Sequence, residues 1–259
     1  MYQDILTIAV VTVFAFFAIY WMWFQGEVDG SRLIAKNSMK QQKFNIILVL
    51  VAAFIVKAIL AVKNEGYSVD ITCFRSWSET VFTGGISHFY EGDVTDYPPG
   101  YMLVLWLVAA IRHLFNIDNY STTGLFMIKL FPMLFDLAAA YLIYVMAKKR
   151  FSEGMSLMLS ALYALNPAVV IDSSVWGQVD GVLCCMVLLT CYLFMEEKRI
   201  LAYFAFCAGV LLKPQMVMFA PIIIYSIIEQ VFLHDFNTKK MLRDLIGGLA
   251  SLAAMVLVA

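Results

Sequence analysis

Long apolar runs recur along the whole chain, at roughly 5–24, 44–62, 124–146, 154–171, 179–195, 200–212, 214–233 and 245–259, with a shorter one at 100–115. A run of about 20 such residues matches the hydrocarbon thickness of a bilayer. Of the 259 residues, 62% are hydrophobic and 14% charged, where a soluble domain is nearer half and a quarter. The expected fold is therefore an all-α polytopic membrane protein of about eight transmembrane helices, a single domain over 1–259. The first run lacks a basic leader and a small-residue cleavage site, so it reads as a span rather than a signal peptide. Cys184, Cys185, Cys191 and Cys207 lie in apolar runs and Cys73 stands alone, which gives no disulfide or zinc pattern. The chain ends in "LIGGLASLAAMVLVA", a span with no flank, and is expected to be a piece of a longer protein truncated at its C-terminus.

Sidedness is set by the basic residues. Arg32, Lys36, Lys40 and Lys43 precede the second run. Lys148, Lys149 and Arg150 come after 124–146, Lys198 and Arg199 after 179–195, and Lys239, Lys240 and Arg243 precede the last run. All four basic loops are cytoplasmic only if 100–115 does not cross. That run is short and carries Arg112 and His113, so it is read as a re-entrant or interfacial helix. Residues 63–123 then form one long extracytoplasmic loop, rich in acids and aromatics. "DITCFRSWSETVF" (70–82) places Phe74, Trp77 and Val81 at helical spacing, an amphipathic helix that can lie flat with that face in lipid.

The candidate site residues sit on this outer side. Asp70 is either the N-cap of the amphipathic helix or a functional carboxylate held over a cavity. "DYPPG" (96–100), with Asp96 and Tyr97, has two prolines that fix φ and remove amide donors, giving a rigid helix start. "NPAVVIDSSVWGQVDG" (166–181) breaks a helix and then brings Asp172, Trp176, Gln178 and Asp180 to one turn near membrane depth. Ionisable groups there are costly and usually functional. In "LLKPQ" (211–215), Lys213 either snorkels or faces an anionic group, with Gln215 two residues on. Lys129 and Asp136, two turns apart on one helix face, are expected to serve interhelical ion pairing. Lys57 reads as a snorkeler. No nucleotide fingerprint, Ser-His-Asp set or zinc motif is present, and nothing points to nucleic acid.

Taken together these residues resemble the GT-C superfamily of membrane glycosyltransferases. The order matches: a span, an outer loop with an early aspartate (Asp70), "YPPG", a basic-ended span, "NP…D…WGQVD", then "KPQ". The set is most similar to bacterial mannosyltransferases related to the second mannosyltransferase of GPI-anchor synthesis, and covers about 60–215. The family's further C-terminal spans and outer loops are absent from this chain. The resemblance implies an extracytoplasmic active site in a cell membrane and a polyprenyl-phosphate sugar donor. The acceptor would be a glycan, lipid or protein, and Asp70 the catalytic base. It implies substrate contacts at Arg75, Asp96, Tyr97, Trp176, Gln178, Asp180, Lys213 and Gln215. The metal requirement stays open, with a divalent cation as one source of charge for the leaving phosphate. Two other readings are a lipid or solute transporter or flippase, whose binding sites use proline-broken helices, and a non-catalytic assembly subunit.

Overall fold

A computed structural model describes residues 39–92, 95–229 and 238–258. The described residues are helical throughout, with no strand among them. The helices are α1 (Met39–Lys63), α2 (Ser68–Gly92), α3 (Pro99–Leu114), α4 (Thr122–Ala147), α5 (Glu153–Ala164) and α6 (Pro167–Val170), which runs on into a π-helical turn, Ile171–Trp176. Then come α7 (Asp180–Met195), α8 (Arg199–Leu212), a 3-10 turn (Pro214–Phe219), α9 (Ala220–Ile228) and α10 (Thr238–Val258). The chain divides into two compact units, Met1–Asp70 with Lys129–Gly181, and Ile71–Ile128 with Val182–Ala259.

Among the described residues, two helices are long and apolar enough to cross a membrane, Gln42–Lys63 and Thr122–Ala147. α5 and Pro167–Trp176, bent by 47°, make a third if the pair is one broken span. The other apolar helices are shorter; α3, at 16 residues, is about 24 Å long and falls short of a bilayer core by itself. The expected eight spans are therefore not reached among the described residues, and the run 5–24 lies outside them. α1 shows why this is a membrane protein. Phe44, Leu48, Val51, Ile55, Ile59 and Val62 recur at three- and four-residue spacing and are all exposed, a continuous apolar stripe of the kind that suits lipid.

In the first unit, α1 packs on α5 and on the π-helical turn. Ala53, Ala140 and Ala164 meet in one small-residue layer, which lets three backbones approach closely. Ile46, Tyr144 and Leu157 form a second cluster. Between these helices lie two lysines whose partners differ from the sequence expectation. Lys57 does not snorkel. It is fully buried, its ammonium 2.8 Å from Asp136, and it also donates to Ser173 Oγ and the Val169 carbonyl. Asp136 thus does enter an interhelical ion pair, with Lys57. Lys129 is not its partner and instead donates to backbone carbonyls.

In the second unit, α3 and α10 both pack on α8. The face of Phe74 and Val81 does not lie in lipid: the two residues are 1% and 0% exposed. The residues around the double proline cover it, with the Phe74 ring 5.7 Å from Tyr97 and 5.3 Å from Tyr101, centroid to centroid. Arg112 is buried against Glu79, and His113 stacks on Phe82 while its Nε2 lies 3.0 Å from Glu79 Oε2. Gly85, at φ +80°, breaks α2 partway.

These charges carry two measurable consequences. Asp136→Asn takes the bonded counter-charge away from a buried ammonium, which should cost about 3–5 kcal/mol. Lys57→Met/Asp136→Leu, which removes both charges, should recover most of that loss. Thermal unfolding in detergent compares the two, and equal losses would count against the pair as the cause. At Glu79, burial pushes the carboxyl up, but hydrogen bonds and charge from Arg112 and His113 outweigh it and hold the group below its usual range. A depressed carboxyl stabilises the fold above the ordinary glutamate range, and that stability drains as pH falls through the lowered value. Glu79→Gln should therefore melt below wild type at neutral pH, and the gap should close as pH falls below the ordinary glutamate range.

Candidate functional site

The site is built where a chain leaving α1 meets a broken helix. After Lys63 the chain turns at Gly66, whose φ of +87° favours glycine, and α2 begins at Ser68. Asp70 therefore lies inside the first turn of α2 rather than at its N-cap. Its carboxylate takes two bonds from another part of the sequence: Trp176 Nε1 donates to Oδ2 at 2.9 Å and Gln178 Nε2 donates to the same oxygen at 3.0 Å. Among the described residues, Oδ1 has no hydrogen-bond partner.

Local sequence explains how two side chains only two residues apart reach one carboxylate. α5 ends at Ala164, and Asn166 caps α6, its Oδ1 accepting the Ala168 amide at 2.9 Å. Pro167 starts the new helix, as proline does well at a first helical position. The backbone widens to π-helical turns from Ile171, an arrangement frequent at functional sites. Gly177 ends it at φ +89°, and the amides of Gly177 and Gln178 both donate to the Asp172 carbonyl at 2.9 Å. This sharp reversal presents the indole N–H and the glutamine amide side by side. Gln178 Oε1 accepts the Val179 amide at 3.0 Å, which fixes the side chain with its NH2 toward Asp70.

Buried lysine chemistry holds that reversal in place. Lys129, fully buried, donates to the carbonyls of Asn64 at 2.7 Å, Ser174 at 3.0 Å and Val175 at 3.2 Å, with Ala61 at 3.4 Å. It therefore joins the C-terminal end of α1 to the π-helical turn, where unpaired carbonyls and the helix dipole both favour a cation. Tyr67 extends the seam: its amide donates to the Trp176 carbonyl at 2.9 Å. Gly181 serves a different need. A Cβ there would run into Asp136 Oδ1, so the second glycine of "WGQVDG" is what lets α7 start against the buried ion pair.

Of the residues singled out from sequence, Asp70, Trp176 and Gln178 are thus in direct contact within the first unit. Asp180 opens α7 with an exposed side chain. Arg75, Asp96, Tyr97, Lys213 and Gln215 belong to the second unit. There the Arg75 guanidinium lies 5.2 Å over the Tyr120 ring. Tyr97 sits in the aromatic cluster with Phe74, Trp77 and Tyr101, and its carbonyl accepts the Tyr90 hydroxyl at 2.8 Å; burial pushes that phenol up to about 12. Asp96 and Gln215 are exposed, whereas Lys213 is buried, with an extended backbone that ends α8. Gly100 explains one link between the motifs: a Cβ there would press on the Leu211 carbonyl, so "YPPG" and "LLKPQ" meet through a close backbone contact. Among the described residues no three His, Cys, Asp or Glu side chains gather as a metal cluster.

Sequence reasoning missed Tyr67, Lys129 as a carbonyl clamp, and Gly181. Tyr67 carried only a general interfacial signal. The buried lysine could have been suspected from its position beside the break at Asn166-Pro167, since a broken helix inside a membrane needs donors and acceptors.

No solved structure matches the chain. GPI mannosyltransferase 1 of Saccharomyces cerevisiae is 27% identical over 128 residues, covering 47% of this chain. The match takes in only 29% of that relative's own length. The motif resemblance points to the second mannosyltransferase of GPI-anchor synthesis, whereas the matched relative is GPI mannosyltransferase 1. The model of the dolichyl-phosphate-mannose-protein mannosyltransferase family matches residues 96–259, more than half of the chain, and takes in Trp176, Gln178 and Lys213. The protein belongs to that family, within the GT-C superfamily of membrane glycosyltransferases.

Proposed function

We propose that the protein transfers a hexose, mannose first among the candidates, from a polyprenyl-phosphate carrier to an acceptor hydroxyl at the extracytoplasmic face of the membrane. The observation that carries this reading is the aspartate with one oxygen pinned by two donors and the other unbonded. The mannose and the lipid phosphate come from the family name and from the motif order.

The chemistry needs one carboxylate. The acceptor O–H gives its proton to Asp70 Oδ1, the acceptor oxygen attacks the anomeric carbon, and the bond from that carbon to the phosphate oxygen breaks. Glycosidases require an acid as well because their leaving group is poor. A polyprenyl phosphate departs as a stable anion and needs no proton. It does need nearby positive charge. From the motif order alone that charge is assigned to Arg75, Lys213 or a bound divalent cation. Asp96, Tyr97, Asp180 and Gln215 are assigned to substrate contact on the same ground. Trp176 and Gln178 take a firmer role, since their bonds to Oδ2 turn Oδ1 toward the acceptor.

The test uses the full-length protein in membrane vesicles with polyprenyl-phosphate mannose labelled in the sugar. Asp70→Asn should reduce label transfer by about 10²–10⁴-fold while the protein is made and melts normally. Gln178→Leu should lower kcat more than it raises KM, since it loosens the base without removing it. Undiminished transfer by Asp70→Asn would remove the base assignment.

A further inference from the structure

The transfer reading leaves Tyr67 unused. Its ring lies 4.9 Å from that of Trp176, centroid to centroid and tilted by 38°, and the two residues are 47% and 45% exposed. The pair is built rather than incidental. The Gly66 turn delivers Tyr67, its amide is bonded to the Trp176 carbonyl, and the Lys129 clamp fixes the backbone just before both rings. Aromatic residues at a membrane surface commonly anchor it, with their polar edge in the headgroups. Here the indole N–H is taken up by Asp70, so what the tryptophan leaves free to contact a ligand is apolar ring. Two half-exposed rings, one of them bonded to the Asp70 carboxylate, therefore stand at a group whose Oδ1 has no hydrogen-bond partner among the described residues.

Resting on the assignment of Asp70 as the base, we propose that Tyr67 and Trp176 form the acceptor subsite, and that the acceptor is itself a sugar ring. One side of a pyranose is a patch of C–H groups that packs on the negative face of an aromatic ring, while its rim carries hydroxyls. A ring lying on this pair can direct a rim hydroxyl to Asp70 Oδ1. The donor sugar does not fit the same place. Its anomeric carbon must approach the attacked hydroxyl from the side opposite the base. A serine or threonine hydroxyl on an extended peptide has no apolar ring face to lay on the pair. The platform therefore selects a glycan or glycolipid over a protein.

Two measurements on the full-length protein in nanodiscs test this. In the first, label is transferred from polyprenyl-phosphate mannose to octyl α-mannoside or to a Ser/Thr-rich peptide. The glycoside should be the better acceptor. Tyr67→Ala should raise its KM by about threefold to tenfold with donor KM unchanged, and Tyr67→Phe should behave as wild type. Preference for the peptide, or an unchanged glycoside KM in Tyr67→Ala, overturns the subsite. The second measurement needs no turnover. Saturation-transfer NMR of methyl α-mannoside on the Asp70→Asn protein should show ring C–H protons saturated by the protein. That signal should be lost when Tyr67→Ala is added, and an undiminished signal overturns the platform. An Asp70→Asn protein that still transfers label would fail the base assignment alone, because the binding result is read separately.

Discussion

Everything at this site depends on a helix that is interrupted within an apolar sequence, and on the cations that make the interruption tolerable. Breaking an apolar helix at Asn166-Pro167 and widening it to π-helical turns frees carbonyls that need donors, which neighbouring apolar side chains do not offer. Lys129 supplies the donors. One ammonium bonds the carbonyls of Asn64, Ser174 and Val175, so the end of one helix and the break in another become a single fixed object. Lys57 does related work one layer deeper through Asp136, Ser173 and the Val169 carbonyl. Both lysines are fully buried, which is tolerable only because each is saturated with oxygen ligands.

That rigidity passes directly to the carboxylate. Asn64 lies six residues before Asp70, and Val175 adjoins Trp176. Clamping Asn64 to Val175 therefore sets the distance between the carboxylate and its two donors before any side-chain bond forms. The bonds from Trp176 and Gln178 then converge on one oxygen and orient the other. A groove lined by the same residues on flexible loops would contain the same groups without the alignment.

Much of this is legible in the sequence. Composition and apolar runs establish the helical membrane class. The acids, amide and indole of "DSSVWGQVD" mark the turn as more than a connection, and the aspartate early in the outer loop stands out beside it. Pairwise partnership is not legible. Lys57 and Lys129 look alike in a hydropathy pattern, yet one meets a carboxylate and the other meets carbonyls, because that choice depends on how two helices are rotated against each other. The same limit explains Phe74 and Val81. Helical spacing identifies an apolar face, but lipid and a tyrosine cluster cover it equally well, and only the fold brings Tyr97 and Tyr101 to it. Gly181 is silent in sequence for a related reason: a glycine needed for close approach has an ordinary helical backbone and no conformational signature.

The aromatic pair and the aspartate also bear on each other. If the indole N–H pointed to lipid headgroups, Trp176 would anchor the turn but leave Oδ2 of Asp70 free to compete with Oδ1 for the incoming hydroxyl. Bonding it inward removes that competition and turns the ring into a surface with a defined tilt. One hydrogen bond thus serves two ends: it orients the proposed base and presents the ring face on which an acceptor sugar would lie. The two effects separate by substitution. Trp176→Phe keeps a ring while losing the bond to the base, whereas Tyr67→Ala removes a ring and leaves the base as it is.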